Sequence, residues 1–195
     1  MAINNIGICG AHRTGKTTLA KAVAKALKMP FVEIGTSAIF AKNNLDPAKP
    51  MDFRTRLWIQ QQILKHAVEI WFEMDQPFIC DRTPIDMMAY LYADVQGHTL
   101  DEQTEQELEG YLLLCKSATE KYFNYLFLVP PAIPITAAKG KASLSRGYIE
   151  HIHRLCVGFF HDTDTMQAGS RLPRSLTDLG ERVKFVTDFV GARDR

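Results

Sequence analysis

The sequence predicts an α/β fold of three layers, with a mostly parallel sheet of about five strands covered by helices on both faces. Three observations carry that expectation. Short apolar runs bounded by Gly, Pro or charged residues alternate with stretches of helical period, the pattern of repeated β-α units. The first such run, Ile6 to Cys9, passes through a glycine-bounded stretch directly into a helical pattern. The 195 residues, 46% of them hydrophobic, suffice for one α/β domain but not for two ordinary ones, so 1–195 is read as a single domain.

Taken in order, Ile6 to Cys9 is an apolar strand ending at Gly10, and from about Gly15 to Leu27 the residues Leu19, Val23, Ala26 and Leu27 fall on one helical face. Pro30 breaks that helix, and Phe31 to Ile34 reads as a second short strand closing at Gly35. Lys42 to Pro50 is a polar loop. Asp52 caps a long amphipathic helix to about Phe72, with Phe53, Leu57, Leu64, Val68 and Trp71 on its apolar face. Phe78 to Cys80 is a buried-strand run that ends in Asp81-Arg82, and Thr83-Pro84 supplies a cap and first-turn proline for the next helix, which Gly97 ends. Thr99 with Glu102 matches a capping box for a helix to about Phe123. Tyr125 to Val129 is the next strand, stopped by Pro130-Pro131. A helix from Tyr148 to about Phe160, a last strand within Arg171 to Leu176, and a helix through Leu179, Val183, Val186 and Phe189 complete the chain. In a parallel sheet of this kind ligands bind at the carboxyl ends of the strands, so function is expected after Cys9, Cys80 and Val129.

A formal net charge of +1, from 23 basic and 22 acidic residues, gives no global field for a polyanion, so nucleic-acid contact would have to be local. Cys9, Cys80, Cys115 and Cys156 form no CxxC pair and lie in apolar stretches, which reads as reduced core thiols in a cytosol-like compartment. No apolar run approaches the roughly 20 residues that span a bilayer. His151 and His153, two apart on a helix, point to different faces, and no zinc site is read there.

Gly10-Ala11-His12-Arg13-Thr14-Gly15-Lys16-Thr17 is a complete GxxxxGK[ST] phosphate-binding loop. Placed between strand and helix, its backbone N–H groups and the positive helix end converge on a phosphate. In this reading Gly10 to Thr18 cradle ATP, Lys16 bridges the β- and γ-phosphates, and the Thr17 hydroxyl ligates Mg²⁺. His12 and Arg13 receive no separate role. Asp81, at the end of the third strand, is placed to hold the Mg²⁺ shell or to accept the proton of an attacking hydroxyl, with a surface ion pair as the bland alternative. Asp86, about one helical turn on, reads equally as a first-turn acid favoured by the helix dipole.

Gly10 to Thr18 followed by the strand-end Asp81-Arg82-Thr83 resembles the nucleoside and nucleotide kinase branch of P-loop proteins. With Pro30 to Glu33, Thr83-Pro84 and Thr177 to Leu179, the whole chain further resembles phage ATP-binding proteins carrying an AAA-type ATPase label, a group that includes kinases acting on 5-hydroxymethyl-deoxyuridine in phage DNA. The resemblance implies a kinase-like P-loop NTPase fold, Mg-ATP as phosphoryl donor, and a nucleoside-type acceptor, either free or a modified base in DNA. It also implies a cytoplasmic location, the host's if the protein is viral, with Asp81 as catalytic base or metal carboxylate and Arg82 against acceptor or phosphate. Ring-forming AAA machines place paired acids at the corresponding strand end, whereas Asp81 is followed by Arg82. A regulatory NTPase that uses water remains the other class, and the oligomeric state, homodimer included, is left open.

Acceptor candidates are Arg54 and Arg56 near the start of the long helix, with Gln60, Gln61 and Gln62 as hydrogen-bonding groups. Lys139, Lys141 and Arg146, within a connection at about 131–147, are candidate lid cations or ordinary solvated side chains.

Overall fold

The computed structural model describes residues 4–46, 49–95, 97–134, 145–162 and 168–193. Within them the chain runs β1 (Ile6–Cys9), α1 (Lys16–Leu27), β2 (Phe31–Val32), α2 (Thr36–Lys42), α3 (Phe53–Glu73), β3 (Ile79–Cys80), α4 (Pro84–Val95), α5 (Glu102–Tyr122), β4 (Tyr125–Leu128), α6 (Arg146–Asp162), β5 (Ala168–Arg171) and α7 (Leu179–Arg193). The five strands form one sheet in the order β2-β3-β1-β4-β5, and every pairing is parallel.

Alternation along the strands divides the core into two layers. Ile6, Ile8, Tyr125, Phe127 and Val129 pack with Leu19, Val23, Val186 and Val190 of α1 and α7. Cys9, Cys80, Leu126 and Leu128 belong to the opposite layer with α3, α4, α5 and α6. All four cysteines are buried free thiols, and burial pushes Cys80 up to about 12. No described helix is long and apolar enough to cross a membrane.

Five local readings are corrected. Thr36 to Lys42, unassigned from the sequence, is a short helix opened by Gly35 in the left-handed region; one buried residue, Phe40, is too little to mark a periodic face. β2 ends at Val32, not Ile34. The α5 cap is Asp101, whose side chain accepts from the Thr104 N–H, in place of Thr99. β5 lies at Ala168–Arg171, not within Arg171 to Leu176, because pairing with β4 imposes extended backbone on a segment without β-branched or aromatic residues. On α1, Ala20 and Ala24 take core positions while Ala26 is exposed. The Asp52 cap of α3 stands as read, its carboxylate accepting from the Thr55 N–H at 2.9 Å.

Candidate active site

The loop between β1 and α1 requires glycine at both ends. Gly10 has φ 137°, and a Cβ there would lie 2.5 Å from the Val129 carbonyl oxygen of the neighbouring strand. Gly15 has φ 85° and sits against Ile133. Both are conformations that side chains disfavour, which explains why the strand-to-helix turn takes these residues. Arg13 also has positive φ, at 63°.

Lys16 folds its ammonium back over this turn, donating to the carbonyls of Gly10 at 2.6 Å and Ala11 at 2.8 Å. Thr14 is buried, and its hydroxyl donates to the Ala11 carbonyl. Thr17, at the opening of α1, donates its hydroxyl to Asp81 at the end of β3. Parallel pairing of β1 with β3 brings residues 64 apart in sequence to one point. A hydroxyl and a carboxylate oxygen side by side are the hard donors that Mg²⁺ takes.

Helix α4 clamps the first half of the loop. Asp86 is fully buried, and its carboxylate accepts from the Gly10 N–H at 2.7 Å and from the Thr83 N–H and hydroxyl, each at 3.0 Å. Burial raises its pKa, opposed by the Lys16 and Arg82 charges and by the hydrogen bonds from Gly10 and Thr83. One turn further, the Tyr90 hydroxyl accepts from the His12 N–H at 2.8 Å and lies 3.0 Å from His12 Nδ1. Burial pushes the Tyr90 hydroxyl upward as well. From the other face, buried Arg182 of α7 donates through Nη1 to the Thr14 carbonyl and through Nε to the Leu176 carbonyl.

A cavity of about 330 Å³ opens beside this constellation, lined by His12, Thr36, Ser37, Phe40, Arg56, Gln60, Ile63, Arg82, Met87, Tyr90, Asp94 and Tyr148. Arg56 pairs with Asp94 at 3.2 Å, both side chains largely withdrawn from solvent. Burial raises the Asp94 carboxyl, and the Arg56 charge opposes that rise. The His12 ring stands 6.1 Å from Tyr90 and 5.9 Å from Tyr148, so one loop residue borders both phosphate loop and cavity.

The structure brings Lys16, Thr17 and Asp81 together, with Arg82, Arg56 and Gln60 at the adjoining cavity. Arg54 is directed elsewhere: it forms a two-pronged pair with Asp101 on the exposed surface. Arg146, the first residue of α6, lines a separate groove with Pro131 to Pro134, Ile149 and Glu150. Lys139 and Lys141 lie outside the described residues. Tyr90 and Arg182 carry no sequence motif, and Asp86 has a first-turn helix acid as its plain sequence reading. An acid at the third position of a helix following a strand-end Asp-Arg-Thr was the available signal for Asp86; Arg182 left none, since its partner is 168 residues away.

The all-parallel sheet, the glycine-bounded loop and the strand-end Asp81 define a P-loop NTPase fold of the kinase type. The family model described as an AAA domain matches residues 5–164, and the chain belongs to that family. Among solved structures it is similar to deoxyadenosine kinase from M. mycoides, described with dCMP and a flexible dCDP bound, at 14% identity and TM-score 0.68 over 96% of this chain and 98% of that one. Thymidylate kinase from Ehrlichia chaffeensis gives 13% identity and TM-score 0.63, covering 98% of this chain and all of that one. A NadR protein in complex with NAD and AMP-PNP gives 15% identity and TM-score 0.69 over 97% of this chain and 50% of that one. At these identities the likeness establishes the fold. No curated protein matches the chain.

Proposed function

We propose that the protein is a kinase that transfers the γ-phosphoryl group of Mg-ATP to a nucleoside-type acceptor. The observation that carries this reading is the contact of the Thr17 hydroxyl with Asp81 beside Lys16, next to a cavity lined by side chains. A switch that uses only water has no need of a second, side-chain-lined pocket next to the phosphates.

Phosphoryl transfer demands positioning and charge neutralisation more than covalent chemistry. Lys16, held here by two loop carbonyls, would neutralise the phosphates of ATP, and Thr17 with Asp81 would hold the Mg²⁺ that accompanies them. Asp81, adjacent in the chain to the cavity-lining Arg82, is the carboxylate that would accept the proton of the acceptor hydroxyl. Arg82, at the cavity wall, neutralises charge on the group in flight. The acceptor occupies the cavity, where Gln60 and the Arg56–Asp94 pair offer donors and acceptors to a flat polar edge, and Phe40, Tyr90 and Tyr148 cover its faces.

The likeness to deoxynucleoside and thymidylate kinases supports a nucleoside-type acceptor. The specific candidate is 5-hydroxymethyluracil within DNA, supplied by the sequence resemblance; a free deoxynucleoside or deoxynucleotide is the alternative. A base in DNA reaches such a cavity by leaving its stack, still tied to the strand.

Asp81→Asn separates chemistry from fold. The variant keeps the melting temperature and ATP binding and loses most phosphoryl transfer; a raised Mg²⁺ requirement marks the metal role, a displaced pH–rate profile the proton-accepting role. Equal loss of stability and transfer contradicts both.

A further inference from the structure

Beyond the carboxyl ends of β4 and β5 lies a second cavity, of about 420 Å³, that shares no lining residue with the phosphate loop or the acceptor cavity. Its walls are Pro130, Leu172 and Pro173, and its polar lining is His153, Arg154, Arg171 and Arg174. We propose that this cavity binds a phosphate group at a site separate from the phosphate loop.

The arginines differ in how they are held. Arg174 is fixed by two contacts to Glu150, at 2.7 and 2.8 Å, and by donation to the Pro131 carbonyl, so its charge is offset. Arg154 and Arg171 have no carboxylate partner among the described residues, which leaves two positive charges on the cavity from two different elements, α6 and β5. His153 is only 2% exposed, and its Nδ1 is buried without a hydrogen-bond partner. A buried polar atom of this kind costs stability unless something satisfies it.

The chemistry of that set selects the ligand class. A planar carboxylate is satisfied by one guanidinium fork, whereas two unpaired forks from different elements suit a tetrahedral anion with three or four oxygens. The imidazole also registers the field around it. Burial first, then Arg174, with Arg154 and Arg171 adding and Glu150 opposing, lowers His153 to about 4. A bound phosphate offsets those cations and raises that value.

The phosphate has two chemical sources: a free phosphomonoester, or the backbone of a strand whose base lies in the acceptor cavity. The site itself does not depend on the kinase reading, because loss of transfer leaves its lining unchanged.

The test uses the full chain with one equivalent of Mg-AMP-PNP, following the His153 ring by proton–carbon NMR, with His153→Gln to assign the signal. Inorganic phosphate, deoxythymidine monophosphate, a short oligothymidylate and acetate are titrated at low salt. The proposal expects saturable movement of the signal and an upward shift of its titration midpoint with the phosphates but not with acetate. The Arg154→Gln/Arg171→Gln pair, at exposed positions, is expected to weaken phosphate binding by roughly tenfold or more while AMP-PNP affinity stays unchanged. Tightest binding by the oligomer assigns the strand as source, and equal or tighter binding by the small phosphates assigns a free ligand. No saturable change, an equal response to acetate, an undiminished response in the double variant, or loss of the response to one equivalent of AMP-PNP overturns the proposal.

Discussion

Replacing Asp86 by alanine removes a carboxylate that joins α4 to the phosphate loop. Three donors then lose their acceptor inside the protein: the Gly10 N–H at 2.7 Å, and the Thr83 N–H and hydroxyl at 3.0 Å. An unsatisfied buried donor costs about 1–3 kcal/mol. The same burial that raises the Asp86 pKa means that removing the carboxylate recovers desolvation, which places the sum toward the lower end, at about 3–5 kcal/mol. That is a large share of a typical stability of about 5–15 kcal/mol and corresponds to a fall of roughly 10 °C in melting temperature for a chain of this length. Asp86→Asn keeps one oxygen but turns an NH₂ toward either Gly10 or Thr83, so about half the loss is expected. Denaturant unfolding gives the stability change, and calorimetric titration with Mg-AMP-PNP gives the loop's competence; affinity is expected to fall roughly tenfold or more as Gly10 loses its anchor. An alanine variant that unfolds at the wild-type midpoint and binds the nucleotide equally well refutes the assignment of Asp86 as the loop's positioning residue.

Lys16→Ala is expected to lose about two orders of magnitude or more in turnover; unchanged turnover removes the phosphate-loop assignment. Gly10→Ala places a Cβ at 2.5 Å from the Val129 carbonyl in a left-handed conformation and is expected to cost about 2–4 kcal/mol, read as a shifted denaturant midpoint with unchanged slope; a neutral result contradicts the described turn. The lowered His153 pKa fixes the sign of a pH effect: the neutral imidazole's contribution is full above pH 6.5 and is lost as pH falls toward about 4. His153→Gln is therefore expected to flatten the stability–pH profile across that window, and an unaltered slope there shows that the ring is not held as described.

The sheet was legible wherever an apolar run was long enough to have a period: β1 and β4, four residues each, fall where the sequence places them. β5 was misplaced because its residues, Ala168-Gly169-Ser170-Arg171, carry no strand preference, and only the ladder to β4 makes them a strand. The loop was readable because its chemistry is local; Gly10, Gly15, Lys16 and Thr17 act within eight residues. Asp81 was readable as a strand-end acid. What failed to show was everything fixed by tertiary contact alone: the Asp86 and Tyr90 clamp, Arg182 reaching Thr14, and the division between Arg56, which borders the acceptor cavity, and Arg54, which an aspartate on α5's N-terminus holds at the surface. Two arginines two positions apart point to different sides of a helix, and only the packing of α3 against α4 settles which side is the inner one.

The central claim is transfer of phosphate to an organic hydroxyl, and following the label of γ-labelled ATP tests it most directly. The protein is incubated separately with deoxynucleosides, deoxynucleotides, and DNA with or without 5-hydroxymethyluracil, and the products are resolved. The account predicts label in a nucleoside-type acceptor, with label confined to the modified DNA selecting the DNA kinase and label in a free compound selecting the metabolic one. Label found only in inorganic phosphate with every acceptor contradicts it.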